Sequence, residues 1–279
     1  MHLDLHLHST CSDGTLAPAA VVVAARAAGL GMIALADHDT TAGIGPARAA
    51  AAREAAGEGG GAGPGIIPAI ELTCRRDEAE VHLLGYGFRV DDPGLGELTA
   101  QAGRARRERM GAMVERLREL GVAIEPGDVS GEAGCVSIGR MHLARTLVRL
   151  GRVPSLTEAF GRYIADGRPA YVPSSGPPVA EAIAAVNAAG GLAVWAHPAL
   201  EDARHFPTLA ECGLAGVEAL RPSLDPLASV ELEQAARSAG LLVTGGSDWH
   251  GAPRPALGSW FVTERHVGAF LQRLGVAIP

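Results

Sequence analysis

Short apolar runs alternate with longer alanine-rich segments along most of the chain. The apolar runs have the length of strands and predict them at Leu3–Leu7, Met32–Ala36, Ile66–Ile70, Val81–Gly85, Leu192–Ala196, Gly216–Leu220 and Leu241–Gly245. The longer segments predict helices at Pro18–Ala28, Gly43–Ala56, Val179–Ala189, Phe206–Cys212, Pro226–Ala239 and His266–Leu274. Strands that alternate with helices are typical of an α/β fold built on a parallel sheet.

The alternation stops in the middle of the chain, over residues 91–178. Here the pattern contains no strand pair and predicts helices over Leu95–Leu120, Gly139–Leu150 and Ser155–Asp166, the first of them long and rich in arginine. We therefore expect residues 91–178 to form a helical insertion in an α/β domain that is built from residues 1–90 and 179–279.

The composition excludes several kinds of chemistry. All 24 residues of the Lys+Arg class are arginine, which excludes a Schiff-base lysine, a phosphate-loop lysine and a carboxylated-lysine metal bridge. The formal net charge of -7 argues against a surface that binds duplex nucleic acid. The four cysteines form no CxxC pair, which indicates thiols in a reducing compartment.

The sequence also bears on where the protein works. No run approaches the ~20 apolar residues of a membrane span, and the first residues lack the basic segment and apolar run of a secretory signal. We expect a soluble, cytoplasmic protein without a membrane partner.

Most predicted strands bring a histidine or an acid to their carboxyl ends. His6 and His8 are two residues apart in the first strand, so their imidazoles point to the same face. In a parallel barrel the carboxyl ends of the strands are where active sites are built. The candidate residues at these ends are His6, His8, Asp13, Asp37, His38, Asp39, Glu71, His82, His197, Asp248 and His250.

A single histidine at a strand end is weak evidence, since most such residues are hydrogen-bonded core or surface groups. Six of the ten histidines fall at or just after strand ends, however, and chance does not readily produce that set. We interpret His2, His205 and His266, which lie outside it, as structural. Imidazole and carboxylate donors without thiolate suit Zn, Mn or Fe, and a shared carboxylate lets two ions sit ~3.5–4 Å apart.

At these residues the sequence resembles the PHP family (polymerase and histidinol phosphatase). The segments that carry the resemblance occur in order between Met1 and Gly251: DLHLHSTCSDGT, ALADHDT, AIELT, VHLLGY, AHP and GSDWHG. The insertion between VHLLGY and AHP resembles that of small bacterial phosphoesterases that act on nucleoside 3′,5′-bisphosphates. Some of these also trim short RNA from its 5′ end.

The resemblance implies a distorted (β/α)7, TIM-like barrel whose active site is capped by the helical insertion. It also implies three divalent ions (Mn, Zn or Fe) that activate a water, so that no side chain is the nucleophile. Nine ligands are implied in three sets: His6, His8, Glu71 and Asp248 for one ion; Asp13, His38 and His250 for a second; Glu71, His82 and His197 for a third. Asp37 is interpreted as a partner that orients a histidine, the alternative being a polar residue of the loop.

The insertion offers side chains for a second phosphate, which arginine binds through bidentate hydrogen bonds. Arg106 and Arg109 are three residues apart and share a helix face. Arg140 begins another helix, where backbone N–H groups also favour anions, and His142 lies close by. These four are the predicted substrate-binding residues. The alternative for the long helix is a solvated arginine face that pairs with its own glutamates.

The predicted function is metal-dependent hydrolysis of a phosphate monoester. The expected substrate is the 3′-phosphate of a nucleoside 3′,5′-bisphosphate, with short RNA 5′ ends as a further one, so the expected partner is a small nucleotide or short oligonucleotide and not duplex DNA. Three alternatives are histidinol phosphate or another small phosphate ester, C–N hydrolysis of the amidohydrolase type, and a non-catalytic metal-binding module. The complete set of ligand positions favours an enzyme.

Overall fold

One curled sheet organises the computed structural model, which describes residues 1–56, 63–129, 135–252 and 255–276. Its strands are β1 (His2–Leu7), β2 (Leu30–Leu35), β3 (Gly65–Arg76), β4 (Ala79–Tyr86), β5 (Leu192–Trp195), β6 (Gly216–Leu220), β7 (Leu242–Gly245) and β8 (Val262–Thr263). They are ordered β7-β6-β5-β4-β3-β2-β1-β8. A parallel bridge from Leu7 to Trp249, just beyond β7, brings the two sides of the sheet together. The sheet thus forms a nearly closed, distorted TIM-like barrel, as expected.

The expectation of a parallel sheet is wrong for two strands. Strand β4 runs antiparallel to both of its neighbours, β3 and β5, and the unpredicted β8 runs antiparallel to β1. Only Asp77 and Glu78 separate β3 from β4. A parallel connection needs a crossover of a dozen or more residues, whereas a hairpin needs only two. Because β4 is reversed, its first residues lie at the edge where the other main strands end.

In the described part of the chain, nine α-helices surround the sheet or build the insertion, and the predicted helices are confirmed to within a few residues. Their bounds are α1 (Pro18–Ala27), α2 (Ile44–Ala56), α3 (Pro93–Glu119), α4 (Arg140–Arg149), α5 (Leu156–Ala159), α6 (Val179–Ala188), α7 (Phe206–Glu211), α8 (Pro226–Ser238) and α9 (Glu264–Arg273). The helix predicted over Ser155–Asp166 is shorter, because α5 continues into a π-helical turn, Phe160–Ile164. None of these helices is long and apolar enough to cross a membrane.

The long helix α3 joins the insertion to the barrel. Asp92 caps its first turn by accepting hydrogen bonds from the N–H groups of Gly94 and Leu95. Its first turns contribute Leu95 to the core around the barrel sheet. Its second half contributes Met113 to a separate core formed within the insertion. The middle of α3 is therefore held at the junction of the two cores.

Candidate metal centre

The alternation of β1 brings two imidazoles to one point inside the barrel. His6 and His8 are both buried, and their Nε2 atoms lie 3.1 Å apart. Oε2 of Glu71, on β3, lies 3.3 Å from Nε2 of His6 and 3.2 Å from Nε2 of His8. Oδ1 of Asp248, just after β7, lies 3.3 Å from Nε2 of His8. Three different strand ends therefore supply one group of four donors.

A second group lies on the other side of His8. Asp13, in the loop after β1, places Oδ1 3.2 Å from Nε2 of His250 and Oδ2 3.9 Å from Nε2 of His38. The rings of His8 and His250 stack with their centroids 4.0 Å apart. These four residues present donor atoms close enough together to share an ion.

Glu71 is the centre of the arrangement. Its Oε1 lies 2.9 Å from Nδ1 of His82 and 2.9 Å from Nε2 of His197, while its Oε2 lies 3.0 Å from Nδ1 of His38. The reversed direction of β4 is what brings His82 here, because it lies near the start of that strand. One buried carboxylate thus contacts histidines from every predicted ligand set.

The donor set fits divalent cations. Imidazole nitrogens and carboxylate oxygens are the ligands that Zn, Mn and Fe accept. Among the residues that the structure describes, Oδ1 of Asp13, Nδ1 of His38 and Oε2 of Glu71 are buried and have no hydrogen-bond partner. A buried polar atom without a partner costs about 1–3 kcal/mol, and cations bound by the donor groups would coordinate these atoms.

A cavity of about 150 Å³ lies beside these donors. Its walls include three metal-ligand candidates, Asp13, His38 and His82. The other side chains come from β3 and β4 (Thr73 and Glu80) and from the insertion (Arg106, Arg109, Arg140, Met141 and Phe160). The structure therefore brings three of the four predicted substrate-binding residues into one space with the metal-ligand candidates.

The three arginines are held differently. Arg106 donates from Nε to Asp39 at 2.6 Å, from Nη2 to the Thr73 hydroxyl at 2.7 Å and from Nη1 to a main-chain carbonyl. Arg109 and Arg140 share the carboxylate of Glu80, at 2.9 and 3.1 Å. Arg106 therefore ties α3 to the barrel, whereas Glu80 positions the other two.

One acid in the cavity wall, Glu80, was not found by the sequence analysis. Asp39, which holds Arg106, is a candidate there only as a strand-end acid. Glu80 lies two residues before His82 on β4, and residues two apart in a strand share a face. That spacing was the available signal.

Comparison with known proteins identifies the family, although no family model matches the chain. A 5′-3′ exoribonuclease of Escherichia coli is 32% identical over 255 residues, which cover 88% of this chain and 84% of that protein. A 3′,5′-nucleoside bisphosphate phosphatase of Chromobacterium violaceum is 33% identical over 270 residues, with 89% and 87% covered. The chain belongs to the PHP family of metal-dependent phosphoesterases. A solved structure from Bifidobacterium adolescentis, described as a metal-dependent phosphoesterase, superposes with a TM-score of 0.85 at 32% identity, with 97% and 96% covered.

The cluster formed by the nine metal-ligand candidates has an electrostatic field that favours cations. Burial opposes ionisation of Asp13 and Glu71, yet the surrounding histidines hold the pKa of both carboxyls well below the usual range. Burial likewise opposes a charge on His8 and His82, but the neighbouring carboxylates raise the pKa of these imidazoles to about 9 and about 10. Ionised carboxylates thus dominate the interior, and positive charge is favoured there.

A further acid, Glu218 on β6, contacts two of the metal-ligand candidates, and the sequence analysis did not identify it. Its Oε1 accepts a hydrogen bond from Nδ1 of His6 at 2.9 Å, and its Oε2 accepts one from the backbone N–H of His197, also at 2.9 Å. Glu218 is fully buried. An acid inside the apolar run Gly216–Leu220 was the available signal, because charged residues are seldom buried without a partner.

Asp37 is linked to His8 through the hydroxyl of Ser12. It accepts hydrogen bonds from the backbone N–H and the hydroxyl of Ser9 and, at 2.6 Å, from the hydroxyl of Ser12. Oγ of Ser12 lies 3.4 Å from Nδ1 of His8. Asp37 therefore organises the loop between His8 and Asp13, and its predicted role in orienting a histidine stays a prediction. Glu218 is the acid that contacts His6 directly.

His142 does not line this cavity, and its role as a substrate-binding residue stays a prediction. Its Nδ1 accepts a hydrogen bond from the N–H of Gly139, and its Nε2 donates to the carbonyl of Ser12 at 3.0 Å. Burial lowers the pKa of its imidazole, which fits a neutral ring with both nitrogens engaged. His142 therefore fastens α4 to the loop that carries Asp13.

The backbone is strained at three site residues. Asp39, His197 and Asp248 have φ angles of 51°, 35° and 52°, in the left-handed region that non-glycine residues seldom adopt. Gly246 approaches His6 so closely that a Cβ on it would lie 2.2 Å from the His6 Cβ. Such strain clusters at functional sites, where surrounding contacts over-determine the conformation.

Proposed function

We propose that this PHP phosphoesterase removes the 3′-phosphate of nucleoside 3′,5′-bisphosphates, and that it also accepts short RNA ends. The observation that carries the proposal is the shared cavity, which Asp13, His38 and His82 line together with Arg109 and Arg140. The imidazole and carboxylate groups are suited to cations that act on a phosphoryl group, and the guanidinium groups are suited to a second anion. A bisphosphate matches both kinds of group, and the relatives from E. coli and C. violaceum are a 5′-3′ exoribonuclease and a 3′,5′-nucleoside bisphosphate phosphatase.

Three divalent ions (Mn, Zn or Fe) are proposed for the cluster, with the nine ligands divided as the family resemblance implies. His6, His8, Glu71 and Asp248 would hold one, Asp13, His38 and His250 a second, and Glu71, His82 and His197 a third. Bound there, the cations would activate water for attack on phosphorus and offset charge on the phosphoryl oxygens. His8 also lies within the second donor group, and Glu71 is the candidate shared by the first and third sets.

The residues of the chain itself would bind and orient the substrate. Nη2 of Arg109 is buried in the cavity wall and has no hydrogen-bond partner within the described ranges, which leaves an N–H donor for a phosphate oxygen. Arg140 stacks on Tyr171, with its guanidinium 5.4 Å from the ring centre, and Glu80 fixes its direction. The insertion, residues 91–178, would cap the active site. Its arginines would select substrates by the distance between their two phosphates. The expectation of a cytoplasmic protein that binds no duplex DNA stays a prediction.

The test is phosphate release by the Mn-loaded protein from four substrates: adenosine 3′,5′-bisphosphate, adenosine 3′-phosphate, histidinol phosphate and a dipeptide as a C–N control. We expect kcat/KM for the bisphosphate to exceed that for the 3′-phosphate by about 10- to 100-fold, since a charge-assisted hydrogen bond contributes about 1.5–3 kcal/mol. Equal rates on the two adenosine phosphates would contradict the second-phosphate assignment. A preference for histidinol phosphate or the dipeptide would replace the proposed substrate.

A further inference from the structure

Arg221 is an arginine of the barrel that the sequence analysis did not single out. It follows β6 directly and is half-buried. Its Nη2 donates to the carbonyl of Pro198 at 2.8 Å, and its Nη1 donates to the carbonyl of Glu218 at 3.2 Å. Pro198 follows the candidate ligand His197, and the side chain of Glu218 holds His6 and His197. The guanidinium is therefore anchored on the main chain next to the metal-ligand cluster.

The charge of Arg221 is unlike that of the arginines in the insertion. Arg106 forms an ion pair with Asp39, and both Arg109 and Arg140 form ion pairs with Glu80. Within the described ranges, by contrast, Arg221 forms no ion pair, and its two hydrogen bonds go to carbonyl oxygens. Three of its five N–H groups remain without a partner there. A fixed guanidinium with spare donors is suited to an anion.

The position of Arg221 also differs from that of the arginines in the insertion. The insertion arginines approach the cluster from the ends of β2 and β3 and the start of β4, through contacts with Asp39, Thr73 and Glu80. Arg221 approaches from the ends of β5 and β6. The nearby carboxylates of Glu218 and Asp248 act favourably on its charge, although burial outweighs them and lowers the pKa of the guanidinium. The cluster is thus flanked by arginine on two sides.

We propose that Arg221 binds a non-bridging oxygen of the phosphoryl group that is hydrolysed, while the insertion arginines bind the second phosphate. This inference rests on the proposed hydrolysis at the metal cluster but not on the identity of the alcohol that leaves. Donors aimed at the phosphoryl oxygens stabilise the charge that develops there, and one such donor contributes about 100-fold or more. Arg221 therefore acts on every phosphate ester, whereas Arg109 and Arg140 act on doubly phosphorylated ones.

The test uses Arg221→Gln, because a glutamine amide can still donate to one of the carbonyls but carries no charge. Arg75→Gln is the matched control, since Arg75 also lies at a strand end and donates to a main-chain carbonyl, that of Gly176. Each Mn-loaded variant is assayed on p-nitrophenyl phosphate, adenosine 3′-phosphate and adenosine 3′,5′-bisphosphate. Bound Mn is counted, and the affinity for inorganic phosphate is measured by calorimetry.

For Arg221→Gln we expect kcat/KM to fall by about 100-fold on all three esters, with weaker binding of inorganic phosphate and unchanged Mn content. Arg75→Gln should match the wild type. Wild-type rates in Arg221→Gln, a loss confined to the bisphosphate, or a loss explained by missing Mn would each overturn the inference. Should the bisphosphate not be preferred, the proposed substrate fails, yet the results with p-nitrophenyl phosphate and inorganic phosphate still decide the role of Arg221.

Discussion

Glu218 accepts a hydrogen bond from Nδ1 of His6 at 2.9 Å in the buried wall of the barrel. A proton on Nδ1 would leave the lone pair of Nε2 available to a bound cation, and Nε2 lies 3.3 Å from Oε2 of Glu71. Residues that hold a ligand in this way set its tautomer and orientation and strengthen its basicity. Glu218 thus prepares His6 for a cation without facing the cation itself.

Replacement of Glu218 by glutamine should weaken metal binding. The amide is a poorer acceptor than the carboxylate, so the proton on Nδ1 of His6 is less firmly held. We expect the affinity for Mn to fall by about 10- to 100-fold, and turnover to recover at high Mn. Titration of the metal-free protein with Mn measures the effect.

The matched control is Glu233→Gln, on the outer surface of α8, where Glu233 pairs with Arg237 one turn away. Exposed pairs of this kind contribute little, so both Mn affinity and turnover should match the wild type. Unchanged Mn affinity in Glu218→Gln would show that His6 does not depend on this acid.

Glu71→Gln should abolish activity at every Mn concentration, in contrast to Glu218→Gln. The substitution removes the charge that contacts His38, His82 and His197. Since metal ions supply several kcal/mol of transition-state stabilisation, we expect kcat to fall by about 1000-fold or more. Native mass spectrometry should detect fewer bound ions per chain. A variant that keeps its full complement of ions would contradict the shared role of Glu71.

Arg140→Ala should separate substrates by their number of phosphates. We expect kcat/KM for adenosine 3′,5′-bisphosphate to fall by about 10- to 100-fold, chiefly through KM, because charge-assisted hydrogen bonds are lost. Rates on adenosine 3′-phosphate should change little. Arg145→Ala is the control, since this arginine lies on the same helix, α4, and outside the cavity wall. An equal loss on both adenosine phosphates in Arg140→Ala would count against a second-phosphate site.

Gly246→Ala should destabilise the barrel and its metal cluster together. The new Cβ would lie 2.2 Å from the Cβ of His6, so the backbone of one strand must move. Overpacking of this kind costs about 1–3 kcal/mol. We expect a lower Tm in the metal-free protein and weaker binding of Mn.

The reference substitution is Gly268→Ala, in the middle of α9. A Cβ there would meet no described atom within 4 Å, and alanine in a helix interior is favoured over glycine by about 0.5–1 kcal/mol. Its Tm should therefore rise. A Tm for Gly246→Ala equal to that of the wild type would show that β1 and the end of β7 tolerate a wider separation.

Metal removal should lower the thermal stability of the wild type. Cations that bind the folded chain stabilise it by mass action, about 2.7 kcal/mol at a concentration of 100 Kd. We expect addition of a chelator to lower Tm, and Mn to restore it. The shift should be much smaller in Glu71→Gln. An equal shift in that variant would locate the stabilising ions elsewhere on the chain.

The local features of this protein can be predicted from its amino-acid sequence. Apolar periodicity located the seven main strands and most of the helices, because burial of a strand or helix face is visible in a short window. It also placed histidines and acids at strand ends, and the order of the motifs was specific enough to indicate the family. Arg109 and Arg140 were found as anion-binding candidates from their positions on helices.

Strand direction and side-chain contacts between distant segments are visible only in the tertiary structure. The direction of β4 follows from a two-residue turn, and this turn moves His82 to the metal edge of the barrel. The partners of Glu218 and Arg221 come from β1 and from the loop after β5. Nε2 of His142 finds its partner, the carbonyl of Ser12, in the loop near Asp13, while Nδ1 binds Gly139 at the start of its own helix. Such contacts form only when the sheet curls and closes, so no local pattern encodes them.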